Sequence, residues 1–269
     1  MVTIKNYVRP ETAAEAYELN QKRNNRIIGG MLFLKLESGS VDTAIDLSGL
    51  GLSGIEETAE SFIIGAMTPL RALEQHDGLN AYSKGAVRSA LQDIVGVQFR
   101  NLATVGGSLF GRFGFSDVLT LFLSMEASVE LYQGGIIPLE QFVQMKRDKD
   151  LLLRLIVKKT PGAFVYEALR LERTDLPVLN CAFSYAGGAF RAVYGARPGK
   201  AMLLRDPENI LTEQLAAGHG LTEAAIKAFA VYAKDHVPTG SNLRGSAAYR
   251  TQLVQVLTER NLEKLGGLL

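Results

Sequence analysis

The sequence has 269 residues, 47% of them hydrophobic and 27 of them glycine, and its 29 Lys and Arg are balanced by 28 Asp and Glu. That length gives one large domain or two ordinary ones with real cores, and the composition excludes a disordered chain. A net charge of +1, with no Lys/Arg cluster evident along the chain, argues against nucleic acid as a partner.

Cys181 is the single cysteine, so the chain forms no internal disulfide and holds no iron–sulfur cluster by itself. It reads as a small buried apolar residue. His76, His219 and His236 are too scattered for a metal pair. The opening MVTIKNYVRPE lacks the apolar core of a signal peptide, and the apolar run at residues 118–125 is too short to cross a bilayer. A cytoplasmic protein is expected.

In chain order, residues 12–20 read as a helix opened by Pro10 and a capping box of Thr12 with Glu15. Residues 26–28 form a short strand running straight into Gly29-Gly30, followed by the apolar stretch 31–36. Residues 43–47 and 61–64 read as strands, and Thr68-Pro69 opens a helix. Ala86, Ala90, Leu91 and Ile94 predict one helix over 81–94. Residues 98–108 read as loop-rich, ending in a second pair, Gly106-Gly107. Ser116-Asp117 caps a helix to residue 124, 128–132 is a strand, Gly134-Gly135 a hairpin turn, and 138–143 a short helix. The charged segment 146–150 marks a change of territory. Beyond it lie strands at 151–157, 163–169, 178–185 and 190–194, with Gly187-Gly188 as a hairpin turn, then helices over 221–235 and 246–265. The class is α+β.

The glycine motifs differ in weight. Gly49-Leu50-Gly51-Leu52-Ser53-Gly54 matches G-x-G-x-x-G, but another strand follows where a dinucleotide site needs a helix. It reads as a connection between strands. Gly195 to Ala201 is one residue short of a P-loop and has no hydroxyl after Lys200. Gly29-Gly30 and Gly106-Gly107 are different: paired glycines admit close approach of a ligand to the backbone and present successive N–H groups to an anion. Two such loops could clasp a diphosphate.

Their surroundings resemble the FAD-binding subunits of molybdenum hydroxylases, such as the flavoproteins of carbon monoxide dehydrogenase and xanthine dehydrogenase. The resemblance lies in Arg9-Pro10-Glu11-Thr12-Ala13-Ala14-Glu15-Ala16, in Ile28-Gly29-Gly30-Met31, in Gln98 through Ser108, and in Asn242-Leu243-Arg244-Gly245-Ser246-Ala247-Ala248-Tyr249-Arg250. It implies a two-subdomain FAD-binding domain of the vanillyl-alcohol-oxidase-like type over residues 1–158, divided near 52. A smaller sheet-plus-helices domain over 159–269 would follow.

The resemblance further implies that Ile28, Gly29, Gly30, Met31 and Leu32 form one loop around the FAD diphosphate. Thr104, Val105, Gly106, Gly107 and Ser108 would form the other, with Asp117 accepting hydrogen bonds from the ribityl or ribose hydroxyls. Gln98, Arg100 and Asn101 would shape the second loop, and Arg244 and Tyr249 would anchor the last helix. The implied function is electron transfer: an iron–sulfur subunit delivers electrons to FAD, which passes them to NAD or another acceptor. The substrate would be oxidised in a molybdopterin-binding large subunit. No general acid or base is expected in this chain, and an exposed apolar patch for docking the iron–sulfur subunit is. A stand-alone FAD oxidoreductase and a flavin-free scaffold subunit are the alternative readings. Met31 stands where the family commonly has Thr or His, Ile28 where it has Ala, and Tyr166-Glu167-Ala168 lacks a lysine common there.

Overall fold

The computed structural model describes all residues except 207, 208 and 219, so His219 lies outside the described residues. In chain order the elements are β1 (Thr3–Val8), α1 (Ala13–Gln21), β2 (Arg26–Ile28), β3 (Ser40–Asp46), β4 (Ile55–Glu57), β5 (Ser61–Gly65), α2 (Leu70–Gln75), α3 (Asp77–Tyr82), α4 (Ala86–Leu91), α5 (Val97–Leu102), α6 (Val105–Phe110) and α7 (Asp117–Leu123). Next come β6 (Ala127–Leu131), β7 (Gly135–Pro138), α8 (Leu139–Gln144), β8 (Leu152–Lys158), β9 (Gly162–Leu169), β10 (Leu179–Ala186), β11 (Ala189–Gly195), β12 (Met202–Leu204), α9 (Thr212–Ala216), α10 (Glu223–His236) and α11 (Ala247–Leu268). The fold is α+β, in two compact units.

The first unit comprises residues 1–73, 96–111 and 127–157. It holds a parallel sheet in the order β1-β3-β2 and a second sheet in the order β4-β5-β8-β6-β7. Thr12 caps α1 by accepting from Glu15 N at 3.1 Å, while the Glu15 carboxylate accepts from Glu11 N at 3.0 Å, one residue earlier than a capping box requires. Ala16 of α1 then packs with Ile45, Leu47, Leu52 and Leu151. The charged segment 146–150 does not end this unit. Asp150 accepts from Gln133 N and Gly134 N at 3.0 and 2.9 Å, fixing the β6–β7 turn, and β8 returns to pair with β6.

The second unit comprises residues 74–95, 112–126 and 158–269. Its antiparallel sheet, β12-β11-β10-β9, buries Cys181, Phe183 and Tyr194 with Phe229 of α10 and Val254 and Leu257 of α11. Burial pushes the Cys181 thiol pKa up, so this residue stays a protonated core side chain. Arg250 is fully buried and spends its guanidinium on Val178 O, Gly240 O, Gly245 O and Asn242 Oδ1, at 2.6–2.8 Å. Arg244 pairs with Asp175 at 2.8 Å, whereas Tyr249 is half-exposed. The arginines, more than the tyrosine, fasten the turn that precedes α11.

Several elements depart from expectation. The single helix over 81–94 is two, because Lys84 and Gly85 take φ of 51° and 85° and interrupt the ladder after α3. Residues 98–108 carry the short helices α5 and α6. A 3₁₀ turn, Leu47–Gly49, runs into the G-x-G-x-x-G stretch, which leads to β4 with no α-helix between. Among the described residues no helix is long and apolar enough to cross a membrane, and no cluster of His, Cys, Asp and Glu could hold a metal.

Candidate cofactor site

All three strands of the parallel sheet run the same way, so β2 delivers Gly29-Gly30 at its carboxyl edge, where ligands of parallel sheets bind. The second loop meets the first there. A Cβ on Gly29 would lie 2.7 Å from Thr104 Oγ1, and one on Gly30 would overlap the Leu102 carbonyl, only 2.5 Å from its carbon. Neither position accepts a side chain without movement. The two loops therefore pack backbone to backbone within one unit, and the glycines make that approach possible.

The second loop is held on its own side. Leu70 N donates to Ala103 O at 2.8 Å, Val105 N to Thr68 O at 3.0 Å and Gly106 N to Ala66 O at 2.7 Å. Thr104 caps α6, accepting from Gly107 N at 3.2 Å through Oγ1 and from Ser108 N at 3.1 Å through its carbonyl. The Ser108 hydroxyl also donates to Thr104 O, at 2.9 Å. Every N–H from Val105 to Ser108 is thus spent on protein acceptors. The sequence suggested an anion nest at both diglycine pairs; the second pair is instead a wall.

The open donors sit on the first loop. Among the described residues, none accepts a hydrogen bond from the N–H of Gly30, Met31 or Leu32. Met31 adopts the left-handed conformation, φ 62°, which costs a non-glycine residue about 1 kcal/mol. Unspent amides on the first loop, beside two positions that carry no Cβ, suit the diphosphate of a dinucleotide cofactor. Phe33 and Leu36 beside the first loop and Leu102 in the second are exposed, and Phe33 meets Phe99 edge to face at 6.2 Å.

Asp117 belongs to the second unit, at the start of α7. Its carboxylate is buried and shared: Asn180 Nδ2 donates at 2.8 Å, Arg170 pairs at 2.9 Å, and the Tyr166 hydroxyl donates to the same oxygen as Asn180. Burial, then the Asp117 charge, holds the Tyr166 phenol well above its usual range, so it remains a donor. Tyr166 and Arg170 also line a cavity of about 430 Å³ with Ala168, Gln92 and the ion pair Arg173–Asp93. Sequence reasoning missed these partners, because nothing local marks Tyr166, Arg170 or Asn180 as converging on Asp117.

The family described as the FAD binding domain in molybdopterin dehydrogenase matches residues 2–159, and the CO dehydrogenase flavoprotein C-terminal domain matches residues 164–265. The chain belongs to the FAD-binding flavoprotein family of the molybdopterin dehydrogenases. It is therefore an FAD-dependent oxidoreductase component, and FAD is its cofactor.

Relatives agree along the chain. The carbon monoxide dehydrogenase medium chain of Afipia carboxidovorans is 26% identical, covering 96% of this chain and 95% of its own length. The alpha subunit of the 6-hydroxypseudooxynicotine dehydrogenase complex of Paenarthrobacter nicotinovorans is 26% identical, covering 80% and 76%. A carbon monoxide dehydrogenase structure from Hydrogenophaga pseudoflava shares the fold, with a TM-score of 0.82, 23% identity and 96% coverage of both chains.

Proposed function

We propose that this chain is the cytoplasmic electron-relay subunit of a molybdenum hydroxylase. It would take electrons from an iron–sulfur subunit and pass them to NAD or another acceptor, while a molybdopterin-binding large subunit oxidises the substrate. The observation that carries this reading is the close packing of Gly29-Gly30 on residues 102–104 beside the open amides of the first loop, together with family matches over both parts of the chain. The single buried cysteine supports the need for a separate iron–sulfur partner. So do the relatives, one of which is the alpha subunit of a dehydrogenase complex and another a medium chain.

In this reading residues 1–158 form the FAD-binding domain, with subdomains meeting near residue 52, and residues 159–269 form the C-terminal flavoprotein domain. Ile28, Gly29, Gly30, Met31 and Leu32 hold the diphosphate through the open amides. Thr104 donates its hydroxyl, and Val105, Gly106, Gly107 and Ser108 form the rigid opposing side. Asp117 offers its remaining acceptor direction to the ribityl or ribose hydroxyls, three donors having taken the others. The bound flavin supplies the redox chemistry; the chain binds it, orients it and fixes the polarity around it.

The test is the visible spectrum of the purified complex with and without added FAD. Flavin bands that bleach under NADH support the full reading. Flavin bands that bleach only through the iron–sulfur partner support an acceptor other than NAD. A colourless protein unaffected by excess FAD refutes it.

A further inference from the structure

The carboxyl edge of the parallel sheet, where β2 delivers Gly29-Gly30, carries a second group of side chains. Arg9 follows the end of β1, and Asp46 closes β3, the central strand. In the register of β3 with β2, Asp46 stands opposite Ile28. It therefore lies about 4.8 Å across from β2 and roughly 7 Å back along it from Gly30. The Tyr7 hydroxyl donates to Asp46 Oδ2 at 2.5 Å, and Ser48 N donates to Oδ1 at 2.9 Å. Arg9 Nε lies over the turn that follows, 3.0 Å from where a Cβ on Gly49 would stand.

This group is open to a ligand, since Tyr7 is 59% exposed and Asp46 is half-buried. A carboxylate offers about four acceptor positions, and the Tyr7 hydroxyl and the Ser48 amide take one on each oxygen. The Ser48 hydroxyl also faces Asp46, but it rotates freely between donating and accepting. Burial works against the charge, yet the Tyr7 and Ser48 hydrogen bonds outweigh it and, with the Arg9 charge, hold the Asp46 carboxyl below its usual range. Asp46 is thus ionised at neutral pH. One carboxylate beside one guanidinium is neutral overall, so the group calls for neither a cation nor an anion. Uncharged hydrogen-bond donors suit it, and hydroxyl groups are the simplest of these. Capping the 3₁₀ turn needs only the acceptor for Ser48 N, and it leaves Tyr7 and Arg9 without a task.

We propose that Asp46, supported by Tyr7 and Arg9, accepts hydrogen bonds from adjacent hydroxyls on a sugar of FAD; the inference rests on the reading that the amides of Gly30, Met31 and Leu32 hold the diphosphate. A carboxylate at the end of one parallel strand, near a phosphate-binding loop at the end of the next, is a recurrent way to hold a ribose. The separation of Asp46 from Gly30 is short enough for one ligand to meet both. FAD carries adjacent hydroxyls on each flank of its diphosphate, on the adenosine ribose and on the ribityl chain. Both present the same donors to Asp46.

The test is calorimetric titration of the full chain, stripped of flavin, with FAD, ADP, 2′-deoxy-ADP and FMN. Hydrogen bonds to a charged acceptor are the strong kind, so losing one should weaken binding by roughly tenfold or more. If the ribose is held, the parent binds ADP about tenfold more tightly than 2′-deoxy-ADP, and Asp46→Asn removes most of that preference without affecting FMN. If the ribityl chain is held, the parent treats the two nucleotides alike, and Asp46→Asn weakens FMN and FAD about tenfold. Asp46→Ser, which still caps the turn, is the second variant and should behave as Asp46→Asn does. Tyr7→Phe keeps the carboxylate and should keep the parental selectivity. Parental affinity for all four probes in a folded Asp46→Asn or Asp46→Ser chain overturns the inference. The diphosphate reading fails separately, when Gly30→Ala binds FAD and ADP as the parent does. A parent that takes up none of the probes overturns both.

Discussion

Adding one methyl group to Gly30 tests the cleft directly. In Gly30→Ala the new Cβ would sit 2.5 Å from the Leu102 carbonyl carbon and 3.1 Å from Ala103 N, where carbon contacts normally lie at about 3.5–4.0 Å. Something must move by roughly 1 Å, and the opposing segment resists. Ala103 N donates to Phe99 O and Leu70 N donates to Ala103 O, both at 2.8 Å. Loosening those two bonds costs about 0.5–1.5 kcal/mol each, and overpacking adds about 1–3 kcal/mol. A loss of about 2–6 kcal/mol follows, a factor of roughly 30 or more in the folded population. Gly107→Ala is the matched control. Its Cβ would meet only Thr104 Oγ1, at 3.2 Å, and alanine is a better helix former than glycine by about 1 kcal/mol. Urea unfolding followed by circular dichroism measures stability, and quenching of flavin fluorescence measures FAD affinity. Gly30→Ala should unfold at lower urea and bind FAD at least tenfold more weakly, with Gly107→Ala near the parent in both. A Gly30→Ala protein with parental stability and flavin content would refute the close-packed cleft.

Asp117→Asn leaves Arg170 buried without its counter-charge and should cost about 3–5 kcal/mol, read as a lower thermal midpoint of the second unit. Arg250→Met strips four acceptors of their donor in a fully buried position and should cost at least about 3 kcal/mol; Arg250→Lys, unable to reach all four, should rescue little. Glu126 has its carboxyl pKa lowered by Lys158, then Thr160, so its stabilising contribution is full above the ordinary glutamate range and fades as pH falls through the lowered value. Glu126→Gln should therefore lower stability modestly at neutral pH, leave it little changed in strong acid, and so flatten the acid limb of the stability–pH curve below about pH 4.5.

The strands and the two long terminal helices were legible in the sequence because alternation, apolar spacing and turn residues agreed along each segment. The first diglycine pair was legible as a place of close backbone approach, though not what it would approach. What the sequence hid was tertiary. Residues 98–108 lack apolar periodicity over any useful length, so α5 and α6 show themselves only through Gly96 and the Thr104 cap. Gly85 breaks the helix expected over 81–94 because Lys84 before it is left-handed as well, which propensity alone does not reveal. Asp117 was read as a helix start and, from the resemblance, as an acceptor for ribityl or ribose hydroxyls; its protein partners, which arrive from β9 and β10, left no local signal.

The asymmetry of the cleft has a consequence for how this protein can vary. The proposed flavin grip, with main-chain amides on one side and a spent, rigid helix start on the other, asks for little beyond backbone shape. Side chains at 28, 31 and 32 can then be exchanged to alter polarity and access around the flavin while the handhold itself persists. Isoleucine and methionine at 28 and 31 read, in that light, as adjustments to the surroundings of a grip that needs neither of them.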